Sequence, residues 1–165
     1  MGPEPMSHPA SAPTVGGGPA RTVVVTGAGR GIGRAAASRL SEDGWVVVGV
    51  ERDPVLVARL SAELGPGDVL EGDVTDDDVL REARRRAEAL GRLSGWVNNA
   101  GADVARPLDL LSRAQIDRSI ALNLVAQVVG CQVAVQSFLA SGTAGAIVNL
   151  SSIHAQASFP VAARV

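Results

Sequence analysis

The chain contains no lysine and no tyrosine; all 15 of its basic residues are arginine. Any mechanism that needs a Tyr hydroxyl as proton donor, or a Lys ammonium as its helper, is closed to these 165 residues. Cysteine is almost absent as well. The single Cys131 excludes an internal disulfide framework and a multi-Cys zinc site, and no metal site is expected. Neither sign of charge dominates: 15 basic residues face 17 acidic ones, for a net charge of −2. A broad basic face for nucleic acid is thereby excluded. No apolar run reaches the roughly 20 residues of a membrane span. The N-terminus lacks the basic stretch and apolar core of a secretory signal. The expectation is a soluble, cytoplasmic protein with neither a membrane nor a nucleic acid as partner.

What is present is apolar texture, 46% hydrophobic, enough for one packed domain at this length. Residues 1–20 hold five of the nine prolines and the run Gly16-Gly17-Gly18, without apolar periodicity. They read as a disordered tail, and residues 21–165 as one domain.

From Arg21 short apolar strands alternate with helices. The strands are Val23-Val24-Val25, Trp45 to Val50, Val69-Leu70, Gly95 to Asn98 and Ala146 to Leu150. The first helix reads from Arg34 to Leu40. The second starts at Pro54, whose missing N–H costs nothing at that position, and runs through Leu56, Leu60 and Leu64. The third opens on Asp76, Asp77 and Asp78, which suit the positive end of the helix dipole. Its predicted apolar face is Val79, Ala83, Ala87 and Leu90, with Arg81, Arg84, Arg85 and Arg86 on a solvated face. Ser112 and Gln115 form a capping box. The helix it opens carries Ile116, Ile120, Leu124 and Val128 at spacing four and extends to about Leu139. Strands that are apolar throughout, rather than alternating, predict a parallel sheet covered on both faces. With right-handed crossovers this is an α/β fold, a doubly wound Rossmann-type sheet of five strands.

The first strand ends in Thr26-Gly27-Ala28-Gly29-Arg30-Gly31-Ile32-Gly33. A strand, a tight turn and a helix N-terminus converge backbone N–H groups and a positive dipole end on one point, which suits a pyrophosphate. Gly27 permits the turn, and Gly31 and Gly33 allow close approach to the backbone.

This Thr-Gly-x-x-x-Gly-x-Gly spacing resembles the short-chain dehydrogenase/reductase family. The resemblance continues in order along the chain. Asp73-Val74 is similar to the family's adenine-holding pair after the third strand. Asn98-Asn99-Ala100-Gly101 resembles its Asn-Asn-Ala-Gly after the fourth strand, which steadies the sheet and borders the cofactor. Asn123 sits like its catalytic-helix Asn, and Ser151-Ser152 like the segment carrying its catalytic Ser, with Ser152 the better match. The resemblance implies that Gly27, Arg30, Gly31, Ile32, Gly33, Glu51, Asp73, Val74, Asn99, Ala100 and Gly101 bind the cofactor, and that Ser152 and Asn123 are catalytic. Plain structural roles remain open to several of them: Asp73 as a helix cap, Asn99 and Ser152 as turn residues, Asn123 as a satisfied polar residue. A nucleophilic pair of Ser152 and His154 is set aside, because no oriented acid accompanies it. Cys131, on an apolar helix, reads as a small core residue.

Glu51, at the end of the second strand, can accept the adenosine ribose hydroxyls and would repel a 2′-phosphate. This favours NAD. Arg30 and Arg52 pull toward NADP.

The family's chemistry pairs the Ser with a Tyr-x-x-x-Lys motif on the helix after the fifth strand. Val165 lies 13 residues beyond Ser152, and neither Tyr nor Lys occurs. The resemblance therefore implies the N-terminal part of an oxidoreductase that passes hydride between a nicotinamide cofactor and an alcohol or carbonyl substrate. It implies a chain truncated before the general acid-base, with cofactor binding but no turnover. A non-catalytic dinucleotide-binding or interaction module is the alternative. Surplus valines on the long helix and an unpaired fifth strand predict self-association.

Overall fold

The computed structural model describes residues 19–103 and 106–152. The expected tail, up to residue 18, lies outside the described residues, as do His154 and the closing segment from Ile153.

The elements follow the predicted alternation. They are β1 (Arg21–Thr26), α1 (Gly31–Glu42), β2 (Val46–Glu51), α2 (Pro54–Glu63), β3 (Asp68–Glu71), α3 (Asp77–Leu90), β4 (Arg92–Asn98), α4 (Arg113–Ile120), α5 (Ala126–Ser141) and β5 (Ala146–Asn149). A short 3₁₀ turn, Leu108–Leu110, precedes α4, and a π-helical turn, Ala121–Val125, joins α4 to α5. All strand pairings are parallel, in the order β3-β2-β1-β4-β5.

The apolar strands are explained by helices on both faces. Val23, Val25 and Val47 pack on one side with Ala37 of α1 and Leu60 of α2. Val24, Val48 and Val50 pack on the other with Leu80 and Ala83 of α3 and Ala134 and Phe138 of α5. Successive strand residues point to opposite faces, so a run of valines is needed to fill both layers. The polar surface of α3 is paired as expected. Arg81 meets Asp77 and Asp78, Arg85 meets Glu82, Arg86 meets Glu82 and Asp68, and Arg84 lies 3.7 Å from Glu88.

Three helix readings need correction. Helix α1 starts at Gly31 rather than Arg34, inside the glycine-rich motif. In α3 the buried face is Leu80, Ala83 and Ala87; Val79 is half-buried and Leu90 is exposed. Leu80, one residue on from Val79, completes the buried stripe with Ala83 and Ala87, while Leu90 sits in the last turn before Gly91 and meets solvent. The third correction is the largest. Ile116, Ile120, Leu124 and Val128 are all exposed, and the face that meets the sheet is Ala126, Gly130, Val133, Ala134, Ser137 and Phe138. Strict spacing of four drifts about 40° per step around a helix of 3.6 residues per turn. The π turn then shifts the phase of everything after it.

The continuous helical segment Arg113–Ser141 has 29 residues and contains an 18-residue stretch of mean hydropathy 1.5, enough by length and composition to cross a membrane. The sequence reading expected no such segment. Its α5 part packs on β4 and α3, so here the apolar character serves a helix of the sheet's own core.

Candidate active site: a cleft at the carboxyl ends of β1 and β4

The chain builds β1, β2 and β3 outward in one direction and then returns to place β4 on the other side of β1. Connections leaving β1 and β4 therefore diverge, and a crevice opens at their carboxyl ends. A cleft of about 360 Å³ occupies that point.

The glycine-rich turn forms the first wall. Gly27 and Gly31 adopt φ of 63° and 55°, a region that side chains disfavour. Gly33 faces the other way, and a Cβ there would collide with the Gly27 carbonyl oxygen and Asn99 Nδ2. The turn delivers α1 with its N-terminus open. Asp53, Asp76 and Ser112 cap α2, α3 and α4 through side-chain bonds to backbone N–H groups, whereas Arg30 at the α1 N-cap makes none. The first N–H groups of α1 thus lack a side-chain cap, at the positive end of the helix dipole.

Thr26 and Asn99 fasten this turn to β4. Thr26 Oγ1 accepts from the N–H groups of Asn99 and Ala100, both at 3.0 Å. Asn99 Nδ2 donates to the carbonyl oxygens of Thr26 (2.9 Å) and Gly27 (3.1 Å). Asn99 is thus far more than a turn residue: it ties two walls of the cleft together. Thr26 is a site residue beyond those predicted from sequence. Its only sequence signal was its place directly before Gly27.

Glu51 ends β2 with its side chain largely buried. One carboxylate oxygen accepts from Gly29 N–H at 3.0 Å, the other from Arg52 and Asp53 N–H at 2.9 and 3.2 Å. The charge is held at the cleft wall by backbone donors. Asp73 does not cap α3, a role taken by Asp76. Its carboxylate accepts from Thr75 N–H at 3.0 Å and Thr75 Oγ1 at 2.8 Å, with Arg52 3.9 Å away. The Thr75 backbone bond holds its pKa below the usual value against the opposing effect of burial. The Thr75 hydroxyl and the Arg52 and Arg118 charges add to that lowering.

Of the residues chosen from sequence, Gly27, Arg30, Gly31 and Ile32 line one side of the cleft, Glu51, Asp73 and Val74 a second, and Asn99, Ala100 and Gly101 a third. Gly33 lies behind the turn. Asn123 is not in the cleft wall. It sits in the π turn, where its Oδ1 accepts from Ala102 N–H at 3.0 Å and its Nδ2 donates to Ala102 O at 2.9 Å, clamping a loop that does line the cleft. Ser152 follows β5, is exposed, and is not among the cleft-lining residues. The cleft also includes Arg52, Gly72, Ala102 and Leu122. Arg52 and Gly72 adjoin predicted residues. Leu122 comes from the π turn, a break that no regular periodicity signals.

Residues 21–164 match the family model of the short chain dehydrogenases. The chain belongs to the short-chain dehydrogenase family. It is 35% identical over 140 residues to a 3beta-hydroxysteroid dehydrogenase of Eggerthella lenta, covering 81% of this chain and 54% of that protein. It is 35% identical over 132 residues to the human L-xylulose reductase, covering 80% of this chain and 53% of that protein. Among solved structures it resembles one from Sinorhizobium meliloti assigned to the short-chain alcohol dehydrogenases, with TM-score 0.78 and 34% identity over 87% of this chain and 58% of that one. An actinorhodin polyketide ketoreductase variant solved with NADPH aligns with TM-score 0.80 and 25% identity, over 87% of this chain and 57% of that one. The chain spans about half the length of the curated relatives it matches.

Proposed function

We propose that this chain forms the dinucleotide-binding half of a nicotinamide-dependent oxidoreductase acting on an alcohol or carbonyl substrate. The observation that carries this reading is the uncapped N-terminus of α1 beside a cleft lined by nearly all of the motif residues. Its N–H groups and dipole suit a pyrophosphate, with Gly31 leaving the approach open. Asp73 and Val74 flank the adenine end, and Asn99 to Gly101 border the path toward the nicotinamide end. The cofactor, when bound, supplies or takes up hydride. Ser152 would polarise the substrate oxygen, and Asn123 would support the proton path while holding the Ala102 loop. The residue that exchanges the proton with substrate is not among these 165, which contain neither Tyr nor Lys.

The cofactor assignment is NAD. The Glu51 charge is anchored by three backbone donors at the cleft wall, where it disfavours a 2′-phosphate. Arg30 and Arg52 in the same cleft oppose it, and NADPH is the ligand of one structural relative. The missing Tyr and Lys give weight to a second reading, a non-catalytic dinucleotide-binding module.

Calorimetric titration tests the proposal. NAD is expected to bind with a dissociation constant on the order of 10⁻⁴ M, about −5 kcal/mol, without turnover of secondary alcohols or ketones. A folded chain that shows no saturable binding at millimolar NAD overturns it. Saturable binding with turnover restored by the complementary half of a relative favours the enzyme reading. Saturable binding that no such partner converts to turnover favours the module.

A further inference from the structure

The carboxyl end of β4 carries a second polar system, facing away from the glycine turn. Trp96 is fully buried, and its indole Nε1 donates to Asn98 Oδ1 at 2.8 Å. An indole N–H can only donate, so Asn98 must turn its carbonyl oxygen toward Trp96 and its amide NH₂ the other way. That NH₂ then donates to Asn149 Oδ1 at 2.8 Å and to the Gln127 carbonyl at 3.2 Å. Cys131 Sγ joins the cluster 3.4 Å from Asn149 Oδ1. Leu150, the next residue, is held twice: its N–H by the Asn98 carbonyl at 2.9 Å, and its carbonyl by Gln127 Nε2 at 3.2 Å. Ser151 and Ser152 begin directly after this clamp.

Room for the cluster comes from Gly130 of α5. A Cβ there would collide with Asn98 Oδ1 and stand 2.9 Å from Trp96 Nε1. The bulky indole on β4 and the bare position on α5 are therefore complementary parts of one arrangement.

We propose that Trp96 is a positioning residue for the serine segment. By locking the orientation of the Asn98 amide, it fixes the end of β5 against the end of β4, and so sets where the chain leaves β5 for Ser151 and Ser152. This rests on the oxidoreductase reading above. The division of labour is between adjacent asparagines: Asn99 ties β4 to the cofactor turn, and Asn98 ties it to the serine side.

The test uses the whole chain, with Trp96→Phe and Asn149→Ala compared with the unaltered protein. Trp96→Phe keeps an aromatic ring and removes the donor. Asn149 is exposed, so its truncation should leave the fold intact even if the first variant does not fold. Both changes should accelerate hydrogen exchange at Leu150 and the serines after it about fivefold to tenfold, as loss of one hydrogen bond of the cluster implies. Amides of β1 and β2 should be unaffected. The chain has only two tryptophans, Trp45 and Trp96, so its indole N–H signals are separable by NMR. Asn149→Ala should move the Trp96 signal and leave that of Trp45 in place. Unchanged exchange after β5, acceleration spread evenly over the sheet, or an unmoved Trp96 signal each overturns the proposal. NAD affinity, measured in parallel, should stay within about twofold, because one lost bond remote from the turn carries little of it. Failure of the unaltered chain to bind NAD counts against the dinucleotide reading and is distinct from all three exchange and NMR outcomes.

Discussion

The two sides of the sheet are finished to different degrees. On the β1–β2 side, five residues of each six-residue strand are buried, one face against α1 and α2 and the other against α3 and α5. On the β4–β5 side, β5 contains no buried residue, α4 contributes none, and Ile120, Leu124, Val128 and Leu139 are exposed. The glycine-turn side is thus covered on both faces. The serine side presents apolar surface that the described residues do not cover. The difference teaches that the strands around the cleft can be fully packed where the sheet edge that leads to Ser151 and Ser152 is not.

The comparison can be broken most severely at Gly33. Gly33→Val places a side chain where the Gly27 carbonyl and Asn99 Nδ2 already sit, separating the turn from β4. A loss of about 3 kcal/mol is expected from such overpacking, with NAD binding abolished, as chemical denaturation and calorimetry would measure. Retained stability and affinity would mean that the cofactor side is looser than its packing indicates.

Glu51 offers a more selective change. Glu51→Gln removes the charge and leaves an acceptor for the Gly29 N–H. The NAD-to-NADP affinity ratio should fall about tenfold, or about 1.4 kcal/mol, because Arg30 and Arg52 then act unopposed. Parallel titrations with the two dinucleotides read this out. An unchanged ratio would move discrimination away from Glu51.

On the open side, Val128→Arg should leave monomer stability within about 0.5 kcal/mol, as for most surface changes. The same variant should shift light scattering toward a smaller species, if the exposed stripe drives self-association. No change in mass would show that the stripe is not what brings copies together.

The smallest effect is at Asp73. Its pKa is lowered in the folded state, so its contribution to stability is full above the unfolded value of about 3.9 and is lost as pH falls through the lower folded value. Asp73→Asn should flatten the acid limb of the stability profile below about pH 4 and leave neutral pH nearly untouched. Acid titration of both proteins by circular dichroism would detect the difference.

Much of this was readable in the linear chain, for local reasons. Val23-Val24-Val25 must be a strand covered on both faces, since successive side chains alternate and all are apolar. Asp76 and the Ser112–Gln115 box mark helix starts through bonds made within a few residues, and Pro54 marks one by its fixed φ and missing N–H. The glycine turn announces itself because its φ values and close approaches require missing side chains at fixed spacing. Tertiary structure alone decided the rest. The long helix buries Ala126, Gly130, Val133, Ala134 and Phe138 of α5 and leaves Ile116 and Ile120 of α4 exposed, because α5 is the part that meets β4 and α3 and a π turn separates the two. Cys131 joins a polar cluster rather than the core because Asn98 and Asn149 arrive from two strands 51 residues apart. The joining of Thr26 to Asn99, 73 residues on, likewise follows from β4 returning beside β1. Local bonding writes its pattern into neighbouring residues. Side chains that meet across a sheet are brought together only by the order in which its strands assemble.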